Sequence, residues 1–322
     1  MRIGLGAIQE VDDERLHFAS QLGVTDIIAN SYPVPDRGGF WEFQDLVRLR
    51  TKVGAAGLNL YAIENVPASF YDKILEGKPG RDEQIEKMCR TVRNMGRAGI
   101  PVLGYHFMLL SVWRTGYNPV GRGGARVTVY DHSQVENAPL AECAPVTDEE
   151  MWERLSYFLK AVVPVAEEEG VMLALHPDDP PVANIAGVAR IIRSVDAYKR
   201  VMEMVPSPGN GIEFCQGTIA EMCSSPQEVY DAIRYFGSRQ KIAYVHFRNV
   251  SRPGPRFEET FIDDGYVDML EAMRAYHEVG FEGVLIPDHV PEIVNDTPWG
   301  HRGRAYAVGY MKALLACVNA CS

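Results

Sequence analysis

Short apolar runs alternate with longer amphipathic stretches along the whole sequence, and this alternation constrains the fold more than any other feature. Eight of the runs have the length and side chains of buried strands: RIGLGAI, DIIAN, NLYAIEN, PVLGYHF, VMLALHP, GIEFCQ, IAYVHFRN and GVLIPDH. Helices are predicted over 12–23, 40–57, 82–99, 147–170 and 303–318, several with acidic or threonine starts and glycine stops. This order predicts parallel strands joined by crossover helices.

Eight strand–helix units without a linker or a break in composition predict an α/β fold, a single (β/α)8 TIM barrel over residues 1–322. A doubly wound sheet is the main structural alternative, but the first strand lacks the glycine-rich phosphate loop of that fold. Residues 110–145, after the fourth strand, form an unusually long connection that is rich in glycine, arginine and polar residues. Its aromatic and basic content favours an active-site lid over a solvated excursion.

Composition and charge exclude several classes of partner. The 322 residues carry a formal net charge of -11 without a run of lysine or arginine, so we expect no nucleic-acid partner. No apolar run reaches the roughly 18 residues of a membrane span, and the first residues do not resemble a secretory signal. We therefore expect no membrane association, a cytoplasmic location and six reduced, dispersed cysteines. A homo-oligomer is compatible with the apolar helix faces of a barrel.

Polar residues end four consecutive predicted strands: His176, Cys215, His246 and Asp288. Barrel enzymes place their chemistry at these strand ends, and neighbouring strands lie only about 4.7–4.9 Å apart, so the side chains can converge. Alone, each residue is more often a structural group, but four of them at corresponding positions predict a metal site. The mixture of imidazole, thiolate and carboxylate admits zinc, iron(II), manganese(II) or cobalt.

Two further aspartates follow the first of these histidines. Asp178 and Asp179 belong to the stretch LALHPDDPP, in which an apolar strand stops abruptly at His176. A carboxylate often holds the second ring nitrogen of a metal-bound histidine, and these residues are candidates for that role. The alternative is that they shape the proline-rich turn.

Several motifs of the second half occur in an order that resembles a known family. HPDDPP, CQGT, YVHFRN, FIDDGYVDM and PDH are similar to motifs of the mannonate dehydratases, which belong to the xylose-isomerase-like barrels. The resemblance implies that His176, Cys215, His246 and Asp288 bind a divalent metal, Mn²⁺ or Fe²⁺. It also implies a small-molecule sugar acid as substrate and the dehydration of D-mannonate to 2-keto-3-deoxy-D-gluconate.

The resemblance also suggests the acid and base that a dehydration needs. His289 resembles the catalytic histidine of the family, although it could simply hydrogen-bond the strand end. The family has a tyrosine at the start of the last helix, where this sequence offers Tyr306 and Tyr310 with shifted spacing. We favour Tyr306 as the second catalytic residue, while both tyrosines could instead pack the helix on the barrel.

Arginines near the last two strands are candidates for the substrate carboxylate, because a guanidinium pairs with a carboxylate in a bidentate manner. Arg248 is the candidate that we place in the catalytic group, and Arg302 is a substrate-binding candidate. Arg304 is weaker, since a surface position is the strongest alternative for it.

The first half departs from the family pattern. The family has a histidine after strand two in a segment like ALHH, where this sequence reads IIANSYP with Asn30 and Ser31, and its segment WTRT becomes Trp113, Arg114 and Thr115. The remaining substrate-binding candidates are Asn30, Glu64, His106, Trp113 and Arg114.

Two alternative functions remain open. A metal-dependent isomerase or epimerase of a sugar or sugar acid could use Glu64 and His106 as acid–base or ligand groups. A non-catalytic barrel that binds a sugar acid is the other alternative, because a fold alone does not assign a function.

Overall fold

The central element is a closed barrel of eight parallel strands, and the predicted fold class is confirmed. The computed structural model describes residues 1–30 and 34–320. Within these ranges the strands are β1 Arg2–Ile8, β2 Asp26–Asn30, β3 Asn59–Glu64, β4 Val102–His106, β5 Gly116–Asn118, β6 Val127–Asp131, β7 Met172–His176, β8 Asn184–Ile185, β9 Val188–Ala189, β10 Asn210–Cys215, β11 Ile242–His246, β12 Arg256–Glu258 and β13 Val284–Ile286. The eight predicted strands are the strands of the barrel, in the order β1-β13-β11-β10-β7-β4-β3-β2.

Helices connect the barrel strands on the outside. They are α1 Asp13–Leu22, α2 Phe43–Ala55, α3 Asp72–Glu76, α4 Arg81–Ala98, α5 Asp148–Glu168, α6 Val195–Met204, α7 Gln216–Met222, α8 Pro226–Gly237, α9 Met269–Glu278 and α10 His301–Ala320. The five predicted helices correspond to α1, α2, α4, α5 and α10. A capping box between Thr147 and Glu150 starts α5, and left-handed Gly23 and Gly99 end α1 and α4. Among the described residues, none of the helices combines the length and apolarity needed to cross a membrane.

The last barrel strand is shorter than the sequence suggested. The prediction extended it to His289, but β13 ends at Ile286. Pro287 follows immediately, and a proline cannot donate an N–H to the next rung of the ladder. Asp288 and His289 consequently lie in the loop above the barrel rather than on the strand.

The long connection after β4 is folded. Its strands β5 and β6 form a three-stranded antiparallel sheet with β12, in the order β12-β6-β5. Because β12 comes from the connection between β11 and α9, the sheet joins two loops at the same end of the barrel. We call this three-stranded unit the inserted sheet.

Apolar side chains pack in two layers. The larger core lies between the barrel and its helices. A small cluster fills the barrel interior and consists of Ile28, Ala62, Val102, Ala174, Ala243, Tyr244, Val284 and Ile286. The hydroxyl of Tyr244 donates to Oε2 of Glu213 at 2.5 Å, so the barrel interior ends in a polar layer below the mouth.

We predict that Gly104→Ala destabilises the barrel. A Cβ at Gly104 would lie 2.3 Å from the Tyr244 hydroxyl oxygen and 3.0 Å from the backbone of Glu64. Overpacking of this kind typically costs about 1–3 kcal/mol. Gly309→Ala is the matched control, because a Cβ there meets nothing within 4 Å and alanine is the better helix former. Urea denaturation should show a lower free energy of unfolding for the first variant and an equal or higher one for the second. Equal stability of Gly104→Ala and the unmodified protein would contradict the close packing.

Candidate metal centre and active site

The strand register brings several polar side chains to the same level at the barrel mouth. His106 on β4 lies opposite His176 on β7, and Cys215 on β10 lies opposite His246 on β11. Glu64 ends β3 on the other side of the barrel, and its Oε2 is 3.0 Å from Nε2 of His246. Five barrel strands thus contribute polar groups to one small region.

Two groups of possible metal ligands share His246. The ligand atoms of His176, Cys215 and His246 all lie within 4.8 Å of one another, and so do those of Glu64, Glu213 and His246. The fourth predicted ligand, Asp288, approaches from the loop after β13, with Oδ2 3.4 Å from Nδ1 of His246. The geometry therefore adds the carboxylate of Glu213 to the donors considered from the sequence, and it brings Glu64, named there as a possible ligand of an isomerase, into the same group.

Buried polar atoms at the centre lack hydrogen-bond partners in the structure, which favours a bound cation. Glu213 is fully buried, and within residues 1–30 and 34–320 its Oε1 accepts no hydrogen bond, although Nε2 of His246 is 2.9 Å away. The buried Nδ1 of His246 also has no hydrogen-bond partner among the residues that the structure describes. Leaving such a group unsatisfied costs about 1–3 kcal/mol. Because imidazole, thiolate and carboxylate are all ligands of first-row divalent metals, these residues fit a metal ion.

Charges around Cys215 favour its thiolate form. Burial would raise the pKa of this thiol, but Arg248 and His176 lower the pKa to about 5. Burial also opposes ionisation of Glu213, whose pKa is nevertheless lowered by His246 and His176. A thiolate is the form of cysteine that binds metals.

The ring of His176 is held by the backbone rather than by a carboxylate. Its Nδ1 is 2.7 Å from the Pro177 carbonyl oxygen, which can only accept, so Nδ1 carries the proton and Nε2 is available as a ligand. The hypothesis that Asp178 or Asp179 anchors this ring is wrong. Asp178 instead accepts from the Ile192 N–H at 2.6 Å, which stabilises the turn after β7.

Arg248 lies buried among carboxylates. Its Nε is 3.0 Å from Oδ2 of Asp288, its Nη2 donates to Oδ2 of Asp179 at 3.0 Å, and its Nη1 donates to Oε1 of Glu221 at 3.3 Å. Gly217 provides the room, since a Cβ there would be 2.4 Å from Nη1 of Arg248. The guanidinium thus holds Asp288 beside the possible metal ligands.

A second guanidinium, that of Arg114, comes from the long connection between β4 and α5. Nη1 and Nη2 of Arg114 donate to the two oxygens of Asp179 at 2.6 and 2.7 Å, and Nε donates to Glu259 at 3.1 Å. Burial opposes ionisation of Asp179, but Arg114 lowers its pKa to about 2. Arg114 therefore connects the segment between β4 and α5 to the loop after β7 and to the loop after β12.

His289 lines a cavity at the barrel mouth. Its Nδ1 is 2.8 Å from each carboxylate oxygen of Glu259, and its Nε2 is 3.8 Å from Oδ1 of Asp288. Although partial burial opposes it, Asp288 and Glu259 raise the pKa of His289. The cavity has a volume of about 550 Å³, and Thr128, Glu292 and His289 are among its lining residues. A sugar acid of six carbons fits into such a volume.

Comparison with known proteins identifies a family that matches this chain over residues 6–322. The family model described as D-mannonate dehydratase (UxuA) matches residues 6–144 and 139–322. The chain belongs to the D-mannonate dehydratase family. Mannonate dehydratase 2 of Halalkalibacterium halodurans is 31% identical, with 98% of this chain and 96% of that protein covered. Mannonate dehydratase of Thermotoga maritima is 33% identical, with coverage of 91% and 88%.

Solved structures agree with this assignment. The crystal structure of mannonate dehydratase from Streptococcus suis serotype 2 superposes with a TM-score of 0.89 at 30% identity, covering all of this chain and 94% of the other. A xylose isomerase domain protein from Planctomyces limnophilus has a TM-score of 0.64 at 17% identity and shares the fold. The predicted resemblance to the mannonate dehydratases is confirmed.

In this member of the family, Tyr306 is exposed on α10. Its hydroxyl donates to Oδ2 of Asp263 at 2.8 Å and accepts from Nη2 of Arg122 at 3.3 Å, and the side chain is 40% exposed. Tyr306 and His289 line the same narrow cleft. Tyr310, one helical turn further along α10, is half-buried.

The two arginines of α10 have opposite environments. Arg302 is exposed, and its Nη1 donates to the Val294 carbonyl at 2.6 Å. Arg304, for which a surface position was the favoured alternative, is buried, and its Nη1 donates to the Asp288 carbonyl at 3.0 Å. The surface alternative is therefore wrong for Arg304, which fixes the loop that carries Asp288.

The remaining substrate-binding candidates lie around the other side of the mouth. Asn30 pairs in register with Glu64, and Ser31 lies outside the described residues. Burial lowers the pKa of His106 to about 4, and its ring is 3.4 Å from the Tyr71 hydroxyl. Trp113 is half-buried, and its backbone N–H donates to the Asp179 carbonyl at 3.2 Å.

Glu213 is a site residue that the sequence reasoning missed. The strand GIEFC places Glu213 and Cys215 two positions apart, so both point to the same face of β10. An acidic residue in an otherwise apolar, fully buried strand is unusual unless it is paired or binds a metal. This signal in the sequence could have identified Glu213.

Proposed function

We propose that the protein is a metal-dependent hydro-lyase that converts D-mannonate to 2-keto-3-deoxy-D-gluconate and water. The convergence of His176, Cys215 and His246 is the observation that carries this proposal. Asp288 links this group to His289, because its carboxylate lies 3.4 Å from Nδ1 of His246 and 3.8 Å from Nε2 of His289. Relatives that match nearly the whole chain bear the name mannonate dehydratase, which supports the same substrate. The substrate class is a small sugar acid.

We assign the metal to His176, Cys215, His246 and Asp288, and we propose Mn²⁺ or Fe²⁺ as the ion. The nearby carboxylates of Glu64 and Glu213 add oxygen donors, which suit Mn²⁺ and Fe²⁺. A divalent cation at this place supplies a Lewis acid for the negative charge that develops beside the substrate carboxylate.

Two side chains, those of His289 and Tyr306, are our candidates for the proton transfers of the reaction. Removal of water across C2 and C3 needs a base for the C2 proton and an acid for the leaving C3 hydroxyl group. His289 is our candidate for proton transfer through Nε2, because Nδ1 is occupied by Glu259. Tyr306 is the candidate for the second group, and its hydroxyl donates to Oδ2 of Asp263 in this structure.

The substrate is oriented by groups around the cavity. Arg248 holds Asp288, so we retain it as a catalytic candidate that supplies a fixed positive charge. The substrate-binding candidates remain Asn30, Glu64, His106, Trp113, Arg114 and Arg302.

A mass-resolved assay tests the proposal. The metal-loaded protein is incubated with D-mannonate in parallel with a chelator-treated sample and samples reloaded with Mn²⁺ or, without oxygen, with Fe²⁺. We expect a product lighter by one water, lost on chelation and restored by metal. A product of unchanged mass would indicate isomerisation or epimerisation instead. No conversion with a filled metal site would contradict the dehydratase assignment and favour a sugar-acid binding barrel.

A further inference from the structure

Glu259 follows β12 and lies where the inserted sheet meets the barrel mouth. Its backbone N–H donates to the Thr128 carbonyl of β6 at 3.0 Å, and the residue is only 4% exposed. A carboxylate so deeply buried needs compensating charges and donors. The sequence pattern does not connect Glu259 with catalysis, because Glu259 does not lie at the end of any of the eight barrel strands.

The carboxylate has a full set of partners. Oε1 accepts from Nη2 of Arg114 at 2.5 Å and lies 3.5 Å from Nη1 of Arg248, while the Thr128 hydroxyl donates to Oε2. Both oxygens are 2.8 Å from Nδ1 of His289. The two guanidinium groups keep the carboxylate negative, so it can only accept hydrogen bonds.

We infer that Glu259 is a positioning residue for His289: it holds the proton on Nδ1 and so presents Nε2 to the substrate. The inference rests on the proposed function. A carboxylate that accepts from one ring nitrogen selects the tautomer and fixes the ring, as in the triads of hydrolases. Glu259 acts through the histidine and does not itself touch the substrate.

The same contacts give the inserted sheet a role in the reaction. Arg114 and Thr128, which hold Glu259 in place, both come from the segment between β4 and α5. The segment therefore sets the orientation of His289 through Glu259, in addition to lining the cavity.

A double-mutant cycle tests the inference. The variants are Glu259→Gln, His289→Asn and the double variant, assayed as metal-loaded proteins with D-mannonate. We expect Glu259→Gln to lower kcat about 100-fold, the lower end of what general acid–base catalysis contributes, with KM changed less than about threefold. The double variant should be no slower than the slower single variant, because residues that act as a unit are not additive.

Glu258→Gln is the matched control. Glu258 is the preceding residue, its carboxylate contacts Ser251 rather than His289, and kcat should stay within about twofold of the unmodified enzyme. Glu259→Asp provides a second variant that retains the charge, and it should recover part of the lost kcat. Losses that multiply in the double variant, or an unchanged kcat in Glu259→Gln, would overturn the inference.

A measurement without turnover separates this inference from the proposed function. Nitrogen-15 NMR of the labelled imidazole should show a proton on Nδ1 of His289 in the native protein and a mixture of tautomers in Glu259→Gln. If the native protein does not dehydrate D-mannonate, the proposed function fails, and the spectra alone decide the positioning. Identical tautomers in both proteins would overturn the positioning even if the native protein is active.

Discussion

Replacing Cys215 by serine is expected to lower the affinity for Mn²⁺ by more than about 100-fold, beyond the 10–100-fold that loss of an outer partner costs. The substitution keeps the size of the side chain and its contact with the Thr218 hydroxyl, which is 3.1 Å from the sulfur. It removes the thiolate that Arg248 and His176 stabilise. A serine hydroxyl stays neutral and is a poor ligand. Titration calorimetry with Mn²⁺ and metal analysis after dialysis measure the effect.

Cys223→Ser is the control for this prediction. Cys223 is also buried, but burial raises the pKa of its thiol to about 12, and it belongs to neither group of possible ligands. The Mn²⁺ affinity of this variant should equal that of the unmodified protein. If Cys215→Ser also retains the affinity, the assignment of Cys215 as a ligand is wrong, and the group of Glu64, Glu213 and His246 becomes the alternative site.

Replacing Arg248 by glutamine is expected to lower the free energy of unfolding by about 3–5 kcal/mol, as for other buried ion pairs that lose one partner. The guanidinium is 3% exposed and contacts Asp179, Glu221 and Asp288. Without it these carboxylates face one another in a buried space. Urea denaturation of the metal-free variant measures the loss, and kcat for D-mannonate should fall as Asp288 moves.

Arg252→Gln is the control for the charge change. Arg252 lies four residues further along the same connection, is 57% exposed and pairs with Glu258 at 3.6 Å. Exposed pairs of this kind contribute less than about 1 kcal/mol. A loss of stability in Arg248→Gln no larger than that in Arg252→Gln would show that the buried carboxylates are neutral or solvated instead.

Local patterns were sufficient for the barrel and for several site residues. His176, Cys215 and His246 could be found because each directly ends an apolar run, and parallel barrel strands end at one mouth. Asp288 and His289 were found for the same reason, although Pro287 places them in the loop and not on the strand. Periodicity fixes which face a strand residue occupies, and that is a local property.

Contacts between distant loops could not be predicted in this way. Glu259 lies 30 residues before His289 in the sequence, and Arg114, which pairs with Glu259, lies 145 residues before Glu259. The sequence makes Asp179 a candidate partner of its neighbour His176, but Asp179 pairs with Arg114. The sequence favours a surface position for Arg304, but Arg304 is buried and donates to the Asp288 carbonyl. Charged side chains occur on many loops, so the amino-acid sequence does not show which of them pair with one another.

By itself, the sequence determined the eight-stranded barrel, the membership of the D-mannonate dehydratase family and the set of strand-end residues at the mouth. The tertiary structure alone decided that Arg248 holds Asp288 and that the inserted sheet places Glu259 against His289. It also brought Glu213 among the possible ligands, which the acidic residue in an apolar strand could have indicated. The physical reason is that the spacing of apolar residues within one segment indicates which of its side chains are buried, whatever the rest of the chain does. Ion pairs between loops depend on distances that exist only after the barrel has closed.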